Sequence, residues 1–128
     1  MGYRSLVMGS EGFRNLKVWQ KSKNLAVAIY RLTSNSPLAK DFGLRDQLCR
    51  AAVSIPSNIA EGDERDTNRD SIRFLYIAKG SLAEVRTQLE IAREAGLVLQ
   101  SDHELIEEEC AEIGRMLGAL IKARSPNL

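Results

Sequence analysis

The chain has 128 residues, of which 44% are hydrophobic and 27% are charged, and its formal net charge is +1. This composition predicts a single globular domain with a real core and argues against a disordered chain. The near-neutral charge gives no global argument for nucleic-acid binding. No apolar run approaches the ~20 residues that cross a bilayer, and residues 1–12 lack the apolar region of a signal peptide, so we expect a cytoplasmic protein without membrane contact.

Helical periodicity predicts a first helix over about 14–34 and a second over about 42–62. The first ends in the cluster Ser34-Asn35-Ser36-Pro37, because proline and the residue before it disfavour a continuing helix. The second has one apolar face, formed by Leu44, Leu48, Ala52, Ile55 and Ile59. Gly62 is placed to end this second helix.

A third helix is predicted over about 68–95 and a fourth from Ser101 to just before Ser125-Pro126. Thr67 and Asp70 resemble a capping box at the start of the third helix, and Gly96 is its stop signal. Ser101 and Glu104 form a full capping box for the fourth.

Short connections between these long helices predict an all-α fold, an antiparallel up-down-up-down four-helix bundle. The bundle domain is expected to cover residues 13–124. Residues 1–12 are predicted to be a flexible tail and residues 125–128 a short C-terminal tail.

An enzymatic function has little support in the residue pattern. Ser54 or Ser57 could act as a nucleophile with Glu61 as acid or base, but a nucleophilic serine needs a positioned base. The only histidine, His103, is expected to be an exposed residue at the start of the fourth helix. A ferritin-like metal site needs Glu-x-x-His motifs, which the sequence lacks. We therefore predict no catalytic residue, no bound metal and no cofactor.

The two cysteines and a run of three glutamates are interpreted as structural residues and not as functional sites. Cys49 and Cys110 lie inside apolar helical patterns and are predicted to be buried hydrophobic residues without a disulfide or metal. The run Glu107-Glu108-Glu109 points in three directions around a helix, which indicates a solvated face.

Polar side chains follow a stripe on the second helix and a second stripe on the third. The residues of this predicted polar seam are Gln47, Arg50, Ser54, Asn58 and Glu61 on the second helix and Arg73, Ser81, Glu84 and Gln88 on the third. An antiparallel hairpin sets Arg50 near Glu84, Ser54 near Gly80 and Glu61 near Arg73. We expect Arg50 and Glu84 to form a desolvated ion pair in a seam that lies within or between subunits.

Pro56 lies in the middle of the second helix and is expected to open it. Proline has no N–H to bond the carbonyl of Ala52, so Ser57 or Asn58 is expected to satisfy that carbonyl. Gly80, which costs on the order of 1 kcal/mol in a helix interior, is expected to allow close backbone approach opposite the kink.

Basic residues dominate the first part of the chain, where residues 12–40 carry six basic and no acidic side chains. Arg14, Lys17, Lys21 and Lys23 cluster on roughly one side of the first helix, which makes them candidate contacts for RNA or DNA. The alternative is a solvated face whose charges are neutralised by the acidic fourth helix.

Three segments, FRNLKVWQKS, GLRDQLCRAAVSIPSNIAEG and FLYIAKGSLAEVRTQLEIA, resemble the bacterial 23S rRNA intervening-sequence proteins and the related accessory variability proteins of diversity-generating retroelements. The resemblance covers residues 13–124. It implies a non-enzymatic four-helix bundle that assembles into a ring-like homopentamer. It also implies RNA, DNA or a reverse transcriptase as partner. We therefore expect an oligomeric interaction protein, with a structural protein-partner adaptor as the alternative.

Overall fold

A computed structural model of the chain describes residues 12–125, which fold into four α-helices and two short 3₁₀ turns without any strand. The helices are α1 (Lys17–Ser34), α2 (Phe42–Asp63), α3 (Asn68–Glu94) and α4 (Gln100–Ala123). The 3₁₀ turns are Gly12–Asn15 and Pro37–Lys40. The prediction of an all-helical domain is confirmed. Most of the two predicted tails, residues 1–11 and 126–128, lies outside the described part of the chain.

The four helices enclose one hydrophobic core. The packing of α2 against α3 is the most extensive, while α1 packs against α2 and α4, and α3 packs against α4. The largest fully buried apolar side chains come from all four helices and from the turn after α1: Ile29, Leu38, Leu48, Ile55, Ile59, Leu75, Val85, Leu89, Ile113 and Leu117. The apolar face predicted for α2 is therefore confirmed at Leu48, Ala52, Ile55 and Ile59.

Both cysteines are buried in this core as free thiols, as the sequence predicts. Burial raises the pKa of the Cys110 thiol to about 12, because the apolar surroundings disfavour the thiolate. Thiolate is the reactive form of cysteine, so this thiol is chemically quiet in the folded chain.

The first helix begins later than periodicity predicts. Residues 12–15 form a 3₁₀ turn, and Leu16, with an extended ψ of 122°, separates that turn from α1. The ring of Phe13 packs against that of Trp19, with 5.0 Å between their centroids. The turn therefore folds back on the first turns of α1.

The predicted capping box at the start of α4 is wrong. The helix begins at Gln100 and its N-cap is Leu99, which makes no side-chain capping bond. The reason is the preceding turn, in which Gly96 has a φ of +79° and the N–H of Leu97 bonds the carbonyl of Ala92. The buried Val98 follows directly, so packing sets the entry to α4. The capping residue predicted for α3 is confirmed, since Thr67 caps that helix.

His103 is buried, so its predicted exposure is wrong. The residue is 7% exposed, and its Nε2 lies 3.3 Å from Oε1 of Glu90 on α3. The residue shares the buried face of α4, since it lies three residues before Ile106 and seven before Cys110. The histidine therefore belongs to the α3–α4 contact.

Gly62 is a point of close approach between α2 and α3, a role that the sequence predicts for Gly80. A Cβ atom on Gly62 would lie 3.0 Å from the carbonyl oxygen of Ser71, whereas a Cβ on Gly80 would meet nothing within 4 Å. Gly62 also lies inside α2, which continues to Asp63, so it does not end the helix as predicted. Its lack of a side chain lets the two helices converge at their connection.

The end of α4 is attached to this connection through Arg124. The Arg124 guanidinium donates to Oδ1 of Asp63, at 3.0 Å, and to the hydroxyl of Ser71. Both partners of the ion pair are largely removed from solvent, with side-chain exposures of 21% and 17%. One side chain thus joins the ends of α4 and α2 to the start of α3.

None of the helices in residues 12–125 combines the length and the apolar character that crossing a membrane requires.

The two glycines make a matched pair of substitutions. Gly62→Ala is expected to lower the free energy of unfolding by about 1–3 kcal/mol, because the new methyl group overlaps the backbone at Ser71. Gly80→Ala is expected to raise it by about 0.5–1 kcal/mol, because alanine favours the helix and meets open space. Urea denaturation followed by circular dichroism measures both. Equal effects of the two substitutions would contradict the close approach at Gly62.

Candidate functional site

Three of the four predicted basic residues are open to solvent. Arg14, Lys17 and Lys23 are exposed, and none has a carboxylate within 4 Å among residues 12–125. Arg14 lies 4.8 Å from the centroid of Phe13, and the ammonium of Lys23 lies 5.8 Å from that of Trp19. The structure therefore places cations beside aromatic rings, an arrangement that the sequence reasoning missed. The signal was present in the alternation of basic residues with Phe13 and Trp19.

Lys21 differs from the other three cations because it is neutralised within the bundle. Its Nζ lies 2.8 Å from Oε1 of Glu112 on α4. This hydrogen bond raises the pKa of Lys21 and lowers the pKa of Glu112, since each charged form stabilises the other. The alternative prediction, in which α4 neutralises the basic face, thus holds for Lys21.

The core of the predicted polar seam forms a connected set of hydrogen bonds between α2 and α3. The hydroxyls of Ser54 and Ser81 lie 2.8 Å apart, and Asn58 Nδ2 donates to the carbonyl and hydroxyl oxygens of Ser54 at 2.8 and 3.0 Å. Further along, Gln88 Nε2 lies 3.4 Å from Gln47 Oε1. The Oε1 atom of Gln88 is buried and has no hydrogen-bond partner within the described chain.

The charged members of the seam do not pair as predicted. Arg50 and Glu84 line the same small groove of about 230 Å³, but both are exposed and no ion pair joins them in the described part of the chain. The desolvated pair is therefore wrong. Ser54 faces Ser81, one residue beyond the predicted Gly80, and this register leaves the longer charged side chains on the solvated flank.

Glu61 and Arg73 also lie apart from the predicted contact. Glu61 accepts a hydrogen bond from Arg65 at 2.6 Å, one helical turn further along the chain. The guanidinium of Arg73 lies 5.1 Å from the ring centroid of Phe74. Local partners within one turn satisfy both residues.

Pro56 is accommodated inside a continuous α2 and is buried. Asn58, one of the two residues expected to bond the carbonyl of Ala52, instead bonds Ser54. Pro56 forms part of the wall facing α1, so the proline and the polar seam lie on different sides of α2.

The arrangement around Ser54 shows no catalytic constellation within residues 12–125. Its hydroxyl is engaged by Ser81 and Asn58, whereas His103 lies beside Glu90 in the α3–α4 contact. In the same part of the chain, no group of three or more His, Cys, Asp or Glu side chains is close enough to hold a metal ion.

Two adjacent grooves run between α1 and α2, and the sequence reasoning did not identify them. One, of about 540 Å³, has apolar walls that include Val27, Val53 and Pro56. The other, of about 480 Å³, is polar and includes Arg45 and Arg50. Tyr30 and Ser34 line both grooves, and Tyr30 is 51% exposed. We call the two grooves together the α1–α2 groove.

Comparisons with known proteins point to one family. The family model described as 23S rRNA-intervening sequence protein matches residues 14–119. A solved structure of a protein of unknown function from the S23 ribosomal protein family of Bacteroides thetaiotaomicron is similar, with a TM-score of 0.76 and 30% sequence identity. The similarity covers 82% of this chain and 98% of that one. No curated protein matches the chain.

The ion pair between Lys21 and Glu112 gives a pH-dependent prediction. Because the folded-state pKa of Glu112 is lowered, the pair stabilises the fold at neutral pH, and this contribution is lost as the pH falls through that pKa. Lys21→Gln is therefore expected to destabilise the chain at neutral pH but not once Glu112 is protonated. Thermal melts across this pH range measure the difference, with Lys17→Gln as the control. A pH-independent difference between Lys21→Gln and the wild type would contradict the pair.

Proposed function

The chain belongs to the 23S rRNA-intervening sequence protein family, and we propose that it is a non-enzymatic interaction protein that binds RNA or DNA through the basic face of α1, which consists of Arg14 in the turn before the helix and of Lys17 and Lys23 on it. The observation that carries this proposal is the set of open cations, Arg14, Lys17 and Lys23, without a carboxylate within 4 Å in the described chain. Such cations neutralise phosphates and release counterions. The neighbouring rings of Phe13 and Trp19 add stacking surfaces of the kind that nucleic-acid sites use.

We also propose that the chain forms a closed homo-oligomer, most simply a ring-like homopentamer of up-down-up-down bundles. Two observations on α3 support a subunit contact there. Ile77 and Ile91 are 47% and 53% exposed, although their side chains are large and apolar. Arg50 and Glu84 are both exposed in one small groove that Gln88 also lines, and no ion pair joins them in the described part of the chain. A neighbouring subunit would cover the apolar side chains and supply polar partners to these two charged residues.

A second candidate function, a structural adaptor for a protein partner, is favoured by a different surface. Leu99 and Leu105 at the start of α4 are 70% and 65% exposed. Leu105 lines a groove with the acidic residues Asp102, Glu108 and Glu109, a charge that disfavours nucleic acid. A reverse transcriptase is the partner suggested by the resemblance to retroelement accessory proteins. A cytoplasmic location likewise stays a prediction.

The oligomer is tested by light scattering coupled to size-exclusion chromatography. The wild type is expected to elute as one closed assembly, and Ile77→Glu with Ile91→Glu is expected to shift it to monomer, because a buried charge has no partner in the contact. Leu105→Glu is the matched control on α4 and is expected to leave the assembly intact. A monomeric wild type at micromolar concentration would exclude the proposal.

Nucleic-acid binding is tested by fluorescence anisotropy with labelled RNA and DNA at rising salt concentration. Replacing Lys17 and Lys23 with Gln is expected to weaken binding and to reduce the slope of log affinity against log salt by about 0.7–0.9 for each phosphate that is no longer neutralised. Lys21→Gln is the control, and it is expected to change the slope less because Glu112 already neutralises Lys21. Absence of any binding by the wild type at low salt would rule out this function and leave the adaptor.

A further inference from the structure

The α1–α2 groove carries a concentration of positive charge on an apolar floor. Four cations line it, namely Lys23, Arg31, Arg45 and Arg50. Among the described residues, the only carboxylate in its lining is Asp46, which lies 3.6 Å from Arg45 Nε, so these two charges offset each other and the excess positive charge comes from Lys23, Arg31 and Arg50. The groove is therefore locally basic although the chain as a whole carries a formal charge of +1. A polyanion is the class of ligand that this local excess of positive charge attracts.

Tyr30 stands where the apolar and the polar halves of the groove meet. Its side chain is half exposed and lies between Val27 and Val53 on one side and Arg45 and Arg50 on the other. The Ser34 and Thr33 hydroxyls both donate to the Tyr30 carbonyl at 2.9 and 3.0 Å, a bond that these side chains commonly make within a helix. Tyr30 thus lies inside α1, and the open half of its side chain is within reach of a base.

We infer that the α1–α2 groove binds single-stranded nucleic acid, with a base stacked on Tyr30 over the apolar floor and a backbone phosphate beside Arg50. This inference rests on the proposed function and adds that the nucleic acid bound in the groove is single-stranded. An apolar floor needs an unstacked base, which a duplex does not offer without unpairing. The cations supply the contacts that hold the backbone without reading sequence.

The surroundings of the groove define the path of the strand. Arg31 also lines the neighbouring groove between α1 and α4, where Asp102, Glu108 and Glu109 lie. Those carboxylates repel phosphates, so they bound the path on the α4 side. At its other end the groove reaches Lys23, which belongs to the basic face of α1 and connects the two surfaces.

Labelled oligouridine, labelled oligothymidine and a labelled blunt-ended RNA duplex are the probes, measured by fluorescence anisotropy against the full chain. Tyr30→Ala is expected to weaken binding of the single strands about tenfold, within the range of base–aromatic stacking, and to leave the affinity for the duplex unchanged. Tyr30→Phe is expected to retain single-strand binding, because it keeps the ring. Tyr76→Ala is the matched control, since Tyr76 is 52% exposed on α3.

A second substitution separates charge from stacking. Arg50→Gln is expected to lower the salt slope for the single strands by about 0.7 without abolishing binding. If oligouridine and oligothymidine bind with equal affinity, the site recognises bases and phosphates. If oligouridine binds more tightly, the site also recognises the 2′-hydroxyl. Both results support the inference.

The failure of this inference is distinguishable from the failure of the proposed function. Equal single-strand affinities for Tyr30→Ala, Tyr76→Ala and the wild type overturn the groove, while salt-dependent binding that disappears on changing Lys17 and Lys23 keeps the function of the basic face. A duplex whose affinity falls on Tyr30→Ala as much as that of the single strands also overturns the groove. A wild type that binds no probe at low salt overturns both proposals.

Discussion

The close approach of α2 and α3 at Gly62 determines how the rest of the domain is arranged. The two helices are joined by a connection of only four residues, so their adjoining ends must lie side by side. With no side chain at Gly62, the backbone there packs directly against the Ser71 carbonyl. This contact fixes the register in which Ser54 meets Ser81 and Gln47 meets Gln88. The other two helices then cover a surface that this pair has already defined.

The acidic residues of α4 explain which cations of the chain remain available. Glu112 neutralises Lys21 of α1, and Glu107 forms a two-pronged ion pair with Arg86 of α3, at 3.1 Å from its Nε. On α3 itself, Glu90 engages Arg93. Acidic residues are therefore concentrated on α4, whereas cations without a carboxylate partner among the described residues lie on and just before α1 and at Arg50 of α2. A net charge near zero thus conceals two regions of opposite sign, which is why the whole-chain value is a poor guide to partners.

Periodicity located the four helices because the apolar residues of each helix face one common core. It also indicated that Ser54, Ser81 and Asn58 share a surface, since polar residues at helical spacing lie on one side. It failed where the outcome depends on contacts between helices. The burial of His103 is a different case, because its spacing to Ile106 and Cys110 places it on the apolar face of α4, and the prediction of exposure gave more weight to its position in the first turn. The exposure of Arg50 and Glu84 follows from a register shift of one residue, too small for a spacing argument to resolve.

The candidate site shows the same division between local and tertiary information. The cations of α1 are close together in sequence and could be found by inspection, whereas the lining of the α1–α2 groove comes from two helices and from residues of ordinary type. Helical spacing places Tyr30 in the apolar pattern of α1, yet half of its surface is open. Spacing indicates which residues lie on one side of a helix, but the neighbouring helix decides which of them it covers.

The attachment of Arg124 to Asp63 and Ser71 has a consequence for the dynamics of the domain. Helix ends usually fray independently and open at low free energy. Here the Arg124 guanidinium at the end of α4 bonds the end of α2 and the start of α3. If one of these three helix ends frays, the hydrogen bonds that hold the other two are broken as well. The three ends are thereby coupled into one cooperative unit, and backbone amides at all three should exchange their protons through a common opening. The connection between α2 and α3 thus also holds the end of α4 in place.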